Sequence, residues 1–212
     1  MSEGREYPDR AHKPPKDPAM TGRSGAAALP TLGGDGYSTR VEEENAMQEA
    51  TRGQTKPFVV GPNDGEATWF LGTRMIVKAT AQNTGGTFGL VEVRLAAGFS
   101  PPLHTHHQED ESFWILEGRL TVVCDGQTYQ AGPGSFIYLP RDLPHTFRVE
   151  EGPARALELV QPAGHEHFYV EGGRPALDDA IPEFDPRDLE RVRALYAKYR
   201  LEEAGPPLQQ AG

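Results

Sequence analysis

Cysteine and long apolar runs are scarce in this sequence, and each absence excludes a class of protein. Cysteine occurs once in the 212 residues, as Cys124, so an intramolecular disulfide is excluded and a reducing compartment is expected. The surrounding run LTVVCDG is typical of a strand, which predicts a buried thiol rather than a nucleophile. No apolar segment approaches the length that spans a bilayer, and the N-terminus lacks the charged-then-apolar order of a secretory signal. We therefore expect a cytoplasmic protein with no membrane partner.

Positive charge is also in short supply. Lysine and arginine number 21 against 31 aspartates and glutamates, which gives a formal net charge of -10. Without a basic stripe to neutralise phosphates, no nucleic-acid partner is expected. The chain has only 37% hydrophobic residues beside 24 glycines and 19 prolines. This composition favours one compact domain with loose ends over two full cores.

The amino-acid composition changes twice along the chain. Residues 1–55 are punctuated by proline and glycine and have few apolar side chains, which predicts a disordered tail with at most a short helical patch at 40–50. Residues 56–172 consist of short β-like runs separated by turn residues, which predicts one β domain. Residues 173–212 form an extension with one amphipathic helix. That helix is expected to be capped by Asp185 and to have on one face Leu189, Val192, Leu195, Tyr196 and Tyr199.

The central region predicts an all-β fold. Roughly ten short strands with almost no helix between them indicate an antiparallel sandwich or barrel. Asp125-Gly126 is the strongest two-residue hairpin signal in the chain. The pattern also predicts a turn at Gly152-Pro153, between strands at 145–149 and 155–160, and a last strand at 167–170.

Two histidines and an acid converge in the stretch from Gly98 to Gly118. His104 and His106 are two positions apart, so on a strand both rings point to the same face. Glu111 follows a short polar corner and can return its carboxylate toward the imidazoles. A later histidine, His145, opens a strand directly after a proline corner. These four side chains are candidate ligands of one metal ion.

Neighbouring residues offer competing readings of the same stretch. Glu109 and Asp110 are alternative carboxylate ligands to Glu111. The His107 side chain points to the opposite face of the strand from His104 and His106, which predicts a solvated ring. A second H-x-H pair, His165 and His167, has no acidic partner at similar spacing. We expect that pair at the surface or at a cavity rim.

The spacings G-x5-H-x-H-x4-E-x6-G and G-x5-P-x-D-x2-H resemble the two motifs of the cupin superfamily. The first motif is matched at every position, by Gly98, His104, His106, Glu111 and Gly118. The second is matched by Gly134, Pro140 and His145. It departs from the family at Asp142, where glycine is usual, and at Val149, where asparagine is common. Aspartate tolerates the left-handed conformation that glycine serves, so the loop is expected to be preserved.

The resemblance implies a cupin jelly-roll β-barrel over about residues 57–170 with one divalent transition metal ion in its mouth. The implied ligands are His104, His106, Glu111 and His145, since only Glu111 keeps the family spacing. Iron, manganese, nickel, cobalt, copper and zinc all suit three imidazoles and one carboxylate. Family members are often dimers, so a homodimer is expected.

Within the superfamily, the chain is similar to the single-domain quercetin 2,3-dioxygenase-like proteins of bacteria. That resemblance implies a metal-dependent dioxygenase that cleaves a flavonol, or another aromatic or enolic small molecule, with dioxygen. Glu111 would be both ligand and general base. The expected apolar lining of the substrate pocket, which has ordinary barrel filling as its alternative, is Phe113, Ile115, Phe136, Tyr138, Phe147 and Leu157.

Two other functions suit the same barrel. Redox-neutral cupin cyclases or isomerases, including those that act on polyketides, use the metal as a Lewis acid. A non-catalytic small-molecule-binding module is the second alternative, because a fold by itself does not decide a function.

Overall fold

The computed structural model describes residues 55–209, so the predicted disordered tail and its helical patch lie almost wholly outside the described residues. The described part contains ten strands and three short helices. The strands are β1 (Glu66–Phe70), β2 (Thr73–Ala79), β3 (Gly89–Leu95), β4 (Leu103–His106), β5 (Asp110–Cys124), β6 (Gln127–Ala131), β7 (Phe136–Leu139), β8 (His145–Gln161), β9 (Arg174–Pro175) and β10 (Leu201–Gly205). The helices are α1 (Ala81–Thr84), α2 (Glu166–Gly172) and α3 (Pro186–Arg193).

The strands form an antiparallel sheet that folds over on itself. One path of neighbours runs β10-β4-β8-β3-β2-β1-β9, and β5 pairs with β6, β7 and β8. Strand β8 therefore contacts β3 and β4 as well as β5, so it links the two layers. The prediction of an all-β antiparallel fold is confirmed.

The two longest strands, β5 and β8, extend beyond the strand boundaries predicted from the sequence. The strands predicted at 145–149 and 155–160 are parts of one strand, β8, and the expected turn at Gly152-Pro153 does not separate them. Strand β5 likewise continues through Gly118, where the pairing with β8 shifts register. Gly118 has φ 82°, and a Cβ added there would lie 2.7 Å from the Cβ of Ala154. Glycine is required because it adopts this backbone and leaves room for the neighbouring strand.

Two predicted backbone features are present. Asp125 and Gly126 both have positive φ, 48° and 72°, which is the requirement of a two-residue type I′ hairpin. They join β5 to β6 with Cys124 opposite Gln127. Asp142 has φ 64°, so aspartate does adopt the left-handed conformation at the position where the motif usually has glycine.

The hydrophobic core lies between the two layers of strands. Cys124 is buried, as expected, and the innermost side chains come from alternate positions of β3, β5 and β8. Fully buried members of this core include Val91, Val93, Leu95, Ile115, Leu120, Val122, Val149 and Ala156.

The strand predicted at 167–170 is wrong, because this segment forms helix α2. Its buried positions are Glu166, Phe168, Tyr169 and Gly172, and the recurrence at 166, 169 and 172 is a helical spacing. The Phe168 and Tyr169 rings pack on Phe70 with centroids 5.3 Å and 5.1 Å away. The buried carboxylate of Glu166 accepts hydrogen bonds from the backbone N–H groups of Ala81 and Gly164. These long-range contacts outweigh the local strand propensity.

The C-terminal extension adds to the sheet at both ends of the strand order. The helix begins at Pro186, and the Asp185 carboxylate accepts from the backbone N–H of Arg187. It ends at Arg193, so Leu195, Tyr196 and Tyr199 lie in the turns that follow rather than on the helix itself. Strand β10 then pairs with β4, and β9 pairs with β1. None of the helices in residues 55–209 is long and apolar enough to cross a membrane.

Candidate metal centre

Three neighbouring strands bring the four candidate ligands together. His104 and His106 lie on β4, Glu111 is the second residue of β5, and His145 opens β8. His104 and His145 are directly opposite each other in the antiparallel pairing. One ligand atom from each of the four side chains lies within 4.8 Å of the others.

The three imidazoles are held in the same tautomer. Nδ1 of His104 lies 2.8 Å from the carbonyl oxygen of Pro102, and Nδ1 of His145 lies 2.9 Å from that of Leu143. Nδ1 of His106 lies 2.6 Å from Oε1 of Glu109. A carbonyl or carboxylate oxygen can only accept, so each Nδ1 carries the proton. Each Nε2 therefore has a free lone pair, which is the form that binds a metal.

The donor set fits a divalent transition metal ion. Nε2 of His145 is buried without a hydrogen-bond partner, and it lies 3.3 Å from Oε2 of Glu111. A buried nitrogen without a partner costs free energy unless something else binds it. Three imidazole nitrogens and one carboxylate suit iron, manganese, nickel, cobalt, copper or zinc. The cluster can therefore hold such an ion, and its chemistry does not select one metal.

Burial and mutual contact set the charges in the cluster. Burial lowers the pKa values of His104 and His106, to about 3 for His104. Burial raises the pKa of Glu111, but the His145 imidazole 3.3 Å away and the neighbouring His106 and His104 rings outweigh it and hold this pKa well below its usual range. Burial lowers the pKa of His145, and the Glu111 carboxylate reverses this effect and raises it. An ionised carboxylate thus faces two neutral imidazoles at neutral pH.

A second carboxyl group lies beside the cluster. Glu158 on β8 is 1% exposed, and the Tyr169 hydroxyl donates to its Oε1 over 2.6 Å. Burial, followed by the charge of Glu111, raises the pKa of Glu158 well above its usual value. Burial and the nearby Glu158 carboxyl likewise raise the pKa of Tyr169. This pair was not predicted from the sequence, although Glu158 is the one acid in the otherwise apolar run at 156–160, a signal that marks a special site.

The competing acids have separate partners. Asp110 binds Arg141 through two hydrogen bonds to the guanidinium, of 3.0 Å and 3.2 Å, and points away from the cluster. Glu109 is buried, and it contacts His106 and His165. Neither acid therefore takes the place of Glu111 among the four converging side chains.

The other three histidines of the described residues, His107, His165 and His167, differ in their exposure. His107 is exposed and bonds to Asp142 and Glu202, as its opposite facing predicted. His165 does not lie at the surface, because its side chain is 2% exposed, but it contributes to the wall of the cavity beside the cluster. The reason is helix α2, which turns His165 inward against the Phe168 and Tyr169 rings. His167 remains partly exposed.

An apolar cavity opens from the histidine and glutamate cluster. It has a volume of about 70 Å³, and the ligand side chains His104, His106 and Glu111 are part of its wall. Phe113 and Phe147, two of the residues assigned to a substrate pocket from the sequence, line this cavity. Aromatic side chains that the sequence analysis did not assign to the wall are Phe70, Phe99, Phe168, Tyr169 and Tyr196.

Four of the expected pocket residues do not line this cavity. Phe136 and Tyr138 are 59% and 54% exposed, because they lie opposite Trp114 and Ser112 and so share the outer face of the sheet. Leu157 also lies opposite Trp114 and faces outward. Ile115 is fully buried in the core but is not part of the cavity wall.

Sequence comparison places the cluster inside a known domain. The family described as "Cupin domain" matches residues 91–160, a segment that contains all four converging side chains. Quercetin 2,3-dioxygenase of Bacillus subtilis (strain 168) is 27% identical over 119 residues, which are 56% of this chain and 35% of that protein. Polyketide synthase CurC of Streptomyces cyaneus is 28% identical over 110 residues, which are 50% of this chain and 70% of that protein.

Among solved structures, KdgF from Halomonas sp. is 18% identical with a TM-score of 0.47, over 53% of this chain and 99% of that one. By contrast, this chain spans only about a third of the length of the curated quercetin 2,3-dioxygenase that it matches. The domain match covers strands β3 to β8, which carry both motifs and the converging side chains. Residues 91–160 of this chain therefore form a cupin domain.

Proposed function

We propose that this chain is a metal-dependent dioxygenase of the quercetinase-like cupin type, acting on a flavonol or another aromatic or enolic small molecule. The observation that carries the proposal is the set of three imidazoles with free Nε2 atoms and one ionised carboxylate at the wall of an apolar cavity. The likeness to quercetin 2,3-dioxygenase supports the same reaction class.

His104, His106, Glu111 and His145 would hold the ion. A bound divalent transition metal would act as a Lewis acid toward a phenol or enol oxygen and would supply redox chemistry toward dioxygen. The chain's own contribution begins with orientation, because the fixed Nδ1–H bonds hold each ring in place before the ion arrives. The aromatic wall excludes water and binds the flat face of the substrate.

Glu111 is the proposed acceptor of the substrate hydroxyl proton. Its lowered pKa means that the carboxylate is ionised and free to accept at neutral pH. The same shift makes it a weak base, and a cation held beside it would supply the missing driving force by lowering the pKa of the substrate hydroxyl. Glu158 lies next to Glu111 with a raised pKa and would remain the protonated member of the pair.

Cavity size favours a small substrate. The cavity of about 70 Å³ is less than half of the ~150 Å³ that accommodates benzene in an engineered protein cavity. A flavonol therefore requires side chains of the wall to move, whereas a compact enol or single-ring phenol requires less displacement. We expect turnover to decrease from single-ring enols and phenols to flavonols.

A redox-neutral cyclase or isomerase is the second candidate. It is favoured by the likeness to polyketide synthase CurC, of which this chain covers 70%. The same carboxylate and cation would then move a proton without dioxygen. A non-catalytic binding module remains the third reading and predicts ligand binding without turnover.

The deciding experiment compares turnover with and without dioxygen. The protein is loaded in turn with iron(II), manganese(II), cobalt(II) and nickel(II), and oxygen uptake is followed over a panel of flavonols and smaller enols. We expect uptake with at least one metal and one substrate, and none in His145→Ala. Product formation under strict anaerobiosis would instead establish the redox-neutral reading.

A homodimer is also proposed. Trp114, Phe136 and Tyr138 are each at least half exposed on the outer face of the sheet, and the Trp114 and Phe136 rings are 6.5 Å apart. Contiguous exposed aromatic side chains are typical of interfaces between protein copies. Light scattering measures the molar mass of the wild type and of Phe136→Ser in solution. A monomeric wild type would contradict the proposed homodimer.

A further inference from the structure

Three buried side chains form a chain of contacts behind the candidate ligand His106. Nδ1 of His106 lies 2.6 Å from Oε1 of Glu109, and Nδ1 of His165 lies 2.9 Å from the same oxygen. All three residues are at most 3% exposed. The two histidine rings contact each other at 4.4 Å between centroids.

The three residues come from separate parts of the fold. His106 ends β4, Glu109 lies in the corner before β5, and His165 directly precedes α2. A buried carboxylate is costly unless it is paired and hydrogen-bonded. Its position between two imidazoles provides that pairing. Nδ1–H of His106 donates to Oε1 of this carboxylate, and the His165 ring lies against the same oxygen.

We propose that Glu109, supported by His165, is a positioning group for the metal centre. It fixes His106 with Nδ1–H directed at the carboxylate and Nε2 directed at the other three ligands. It also places a second negative charge behind the ring, which makes Nε2 a stronger donor to a cation. This inference rests on the proposed metal site and assigns to Glu109 a role that its motif spacing does not reveal.

A second metal ion held by His106, Glu109 and His165 is the competing interpretation of the same cluster. An ion there would require His106 to give up its Nδ1 proton and to bridge two cations through one ring. The contact of 2.6 Å between Nδ1 of His106 and Oε1 of Glu109 has instead the geometry of a hydrogen bond, which requires the Nδ1 proton that a bridging ring would lose. The stoichiometry of metal binding separates the two arrangements.

The test uses three single substitutions. Glu109→Leu removes the acceptor, whereas Glu109→Gln keeps an oxygen acceptor of the same shape and removes the charge. Glu202→Gln is the matched control, because Glu202 is also a carboxylate next to a histidine, His107, but is largely exposed. Cobalt(II) and zinc(II) affinities are measured by competition with a chelator, and ¹⁵N NMR of the histidines reports the His106 tautomer in the metal-free protein.

We expect the wild type to bind one ion and Glu109→Leu to bind it about 10- to 100-fold more weakly. The NMR spectrum of that variant should show His106 shifting toward the Nε2–H tautomer. Glu109→Gln should keep the Nδ1–H tautomer and lose less affinity than Glu109→Leu, and Glu202→Gln should match the wild type. Because Glu109→Gln preserves shape and an acceptor, it keeps the test decisive if the leucine variant fails to fold.

The failures are distinguishable. A wild type that binds no metal would contradict the proposed metal site itself. A wild type that binds one ion, with unchanged affinity in both Glu109 variants, would contradict only the positioning role. Two ions in the wild type and one in Glu109→Leu would establish the second metal site in its place.

Discussion

His104 and His145 lie directly opposite each other on antiparallel strands, with ring centroids 4.6 Å apart. This pairing joins the two motifs of the sequence and brings the two rings together in the cluster of four candidate ligands. We predict that His145→Ala lowers metal affinity by more than the ~10- to 100-fold typical of a residue that only supports a ligand. The control is His107→Ala, which removes an exposed ring that directly follows His106 in the sequence but contacts Asp142 outside the cluster. Chelator competition measures both, and equal affinity in the two variants would show that His145 is misassigned.

Replacement of Glu111 by glutamine separates metal binding from proton transfer. The amide keeps an oxygen donor but loses the charge and the ability to accept a proton. We expect Glu111→Gln to retain detectable metal while turnover falls by about 10²- to 10⁴-fold, the range of general acid–base contributions. Glu117→Gln, whose side chain is 64% exposed, serves as the control. Wild-type turnover in Glu111→Gln would contradict the proposed role.

Metal affinity should fall as the pH is lowered. The Glu111 carboxylate raises the pKa of metal-free His145 above the usual value of a histidine, 6.5, so protons compete with the ion for Nε2. Affinity is therefore expected to be highest above that raised pKa and to decline as the pH decreases through it. Calorimetric titrations at several pH values, in buffers of different ionisation enthalpy, measure the protons released. Affinity and proton release that do not depend on pH would contradict this assignment.

Two glycines with similar backbones give a matched stability test. Gly118 and Gly134 have φ 82° and 84°, but only at Gly118 does an added Cβ meet a neighbouring strand, at Ala154. Gly134→Ala should cost about 1–3 kcal/mol from backbone strain alone. Gly118→Ala should cost a further 1–3 kcal/mol, roughly, from overpacking. Urea unfolding measures the difference, and equal losses would mean that β5 and β8 separate easily here.

Enlargement of the cavity tests the size argument. Tyr196 follows α3 and contributes to the cavity wall, so Tyr196→Ala should admit bulkier phenols. We expect flavonol turnover to rise relative to that of single-ring substrates, and Tyr129→Ala, on an exposed ring outside the cavity, to leave the ratio unchanged. A ratio that is equal in both variants would show that the cavity wall does not select by size.

The convergence of the four side chains was predictable because it depends on local rules. Alternation along a strand puts His104 and His106 on one face, and a proline corner directs His145 inward. The positive φ at Asp125 and Asp142 likewise follows from residue type. These features require only short-range geometry, and they account for the agreement between sequence and structure at this cluster.

The pocket and the residues behind the cluster were not predictable in the same way. Phe136 and Tyr138 were assigned inward, but the register that puts Leu139 opposite Glu111 turns them outward. His165 was missed because contacts with distant aromatic rings make the segment after it a helix. Glu158 owes its environment to Tyr169, a partner whose position depends on that same helix.

Metal analysis of the purified protein tests the central claim most directly. The wild type and a His104→Ala/His145→Ala double variant are loaded with cobalt(II), desalted and analysed for bound metal. The account predicts about one ion per chain in the wild type, with the visible spectrum of a nitrogen- and oxygen-ligated cobalt, and none in the double variant. Equal metal content in the two proteins, or no bound metal in the wild type, would contradict it.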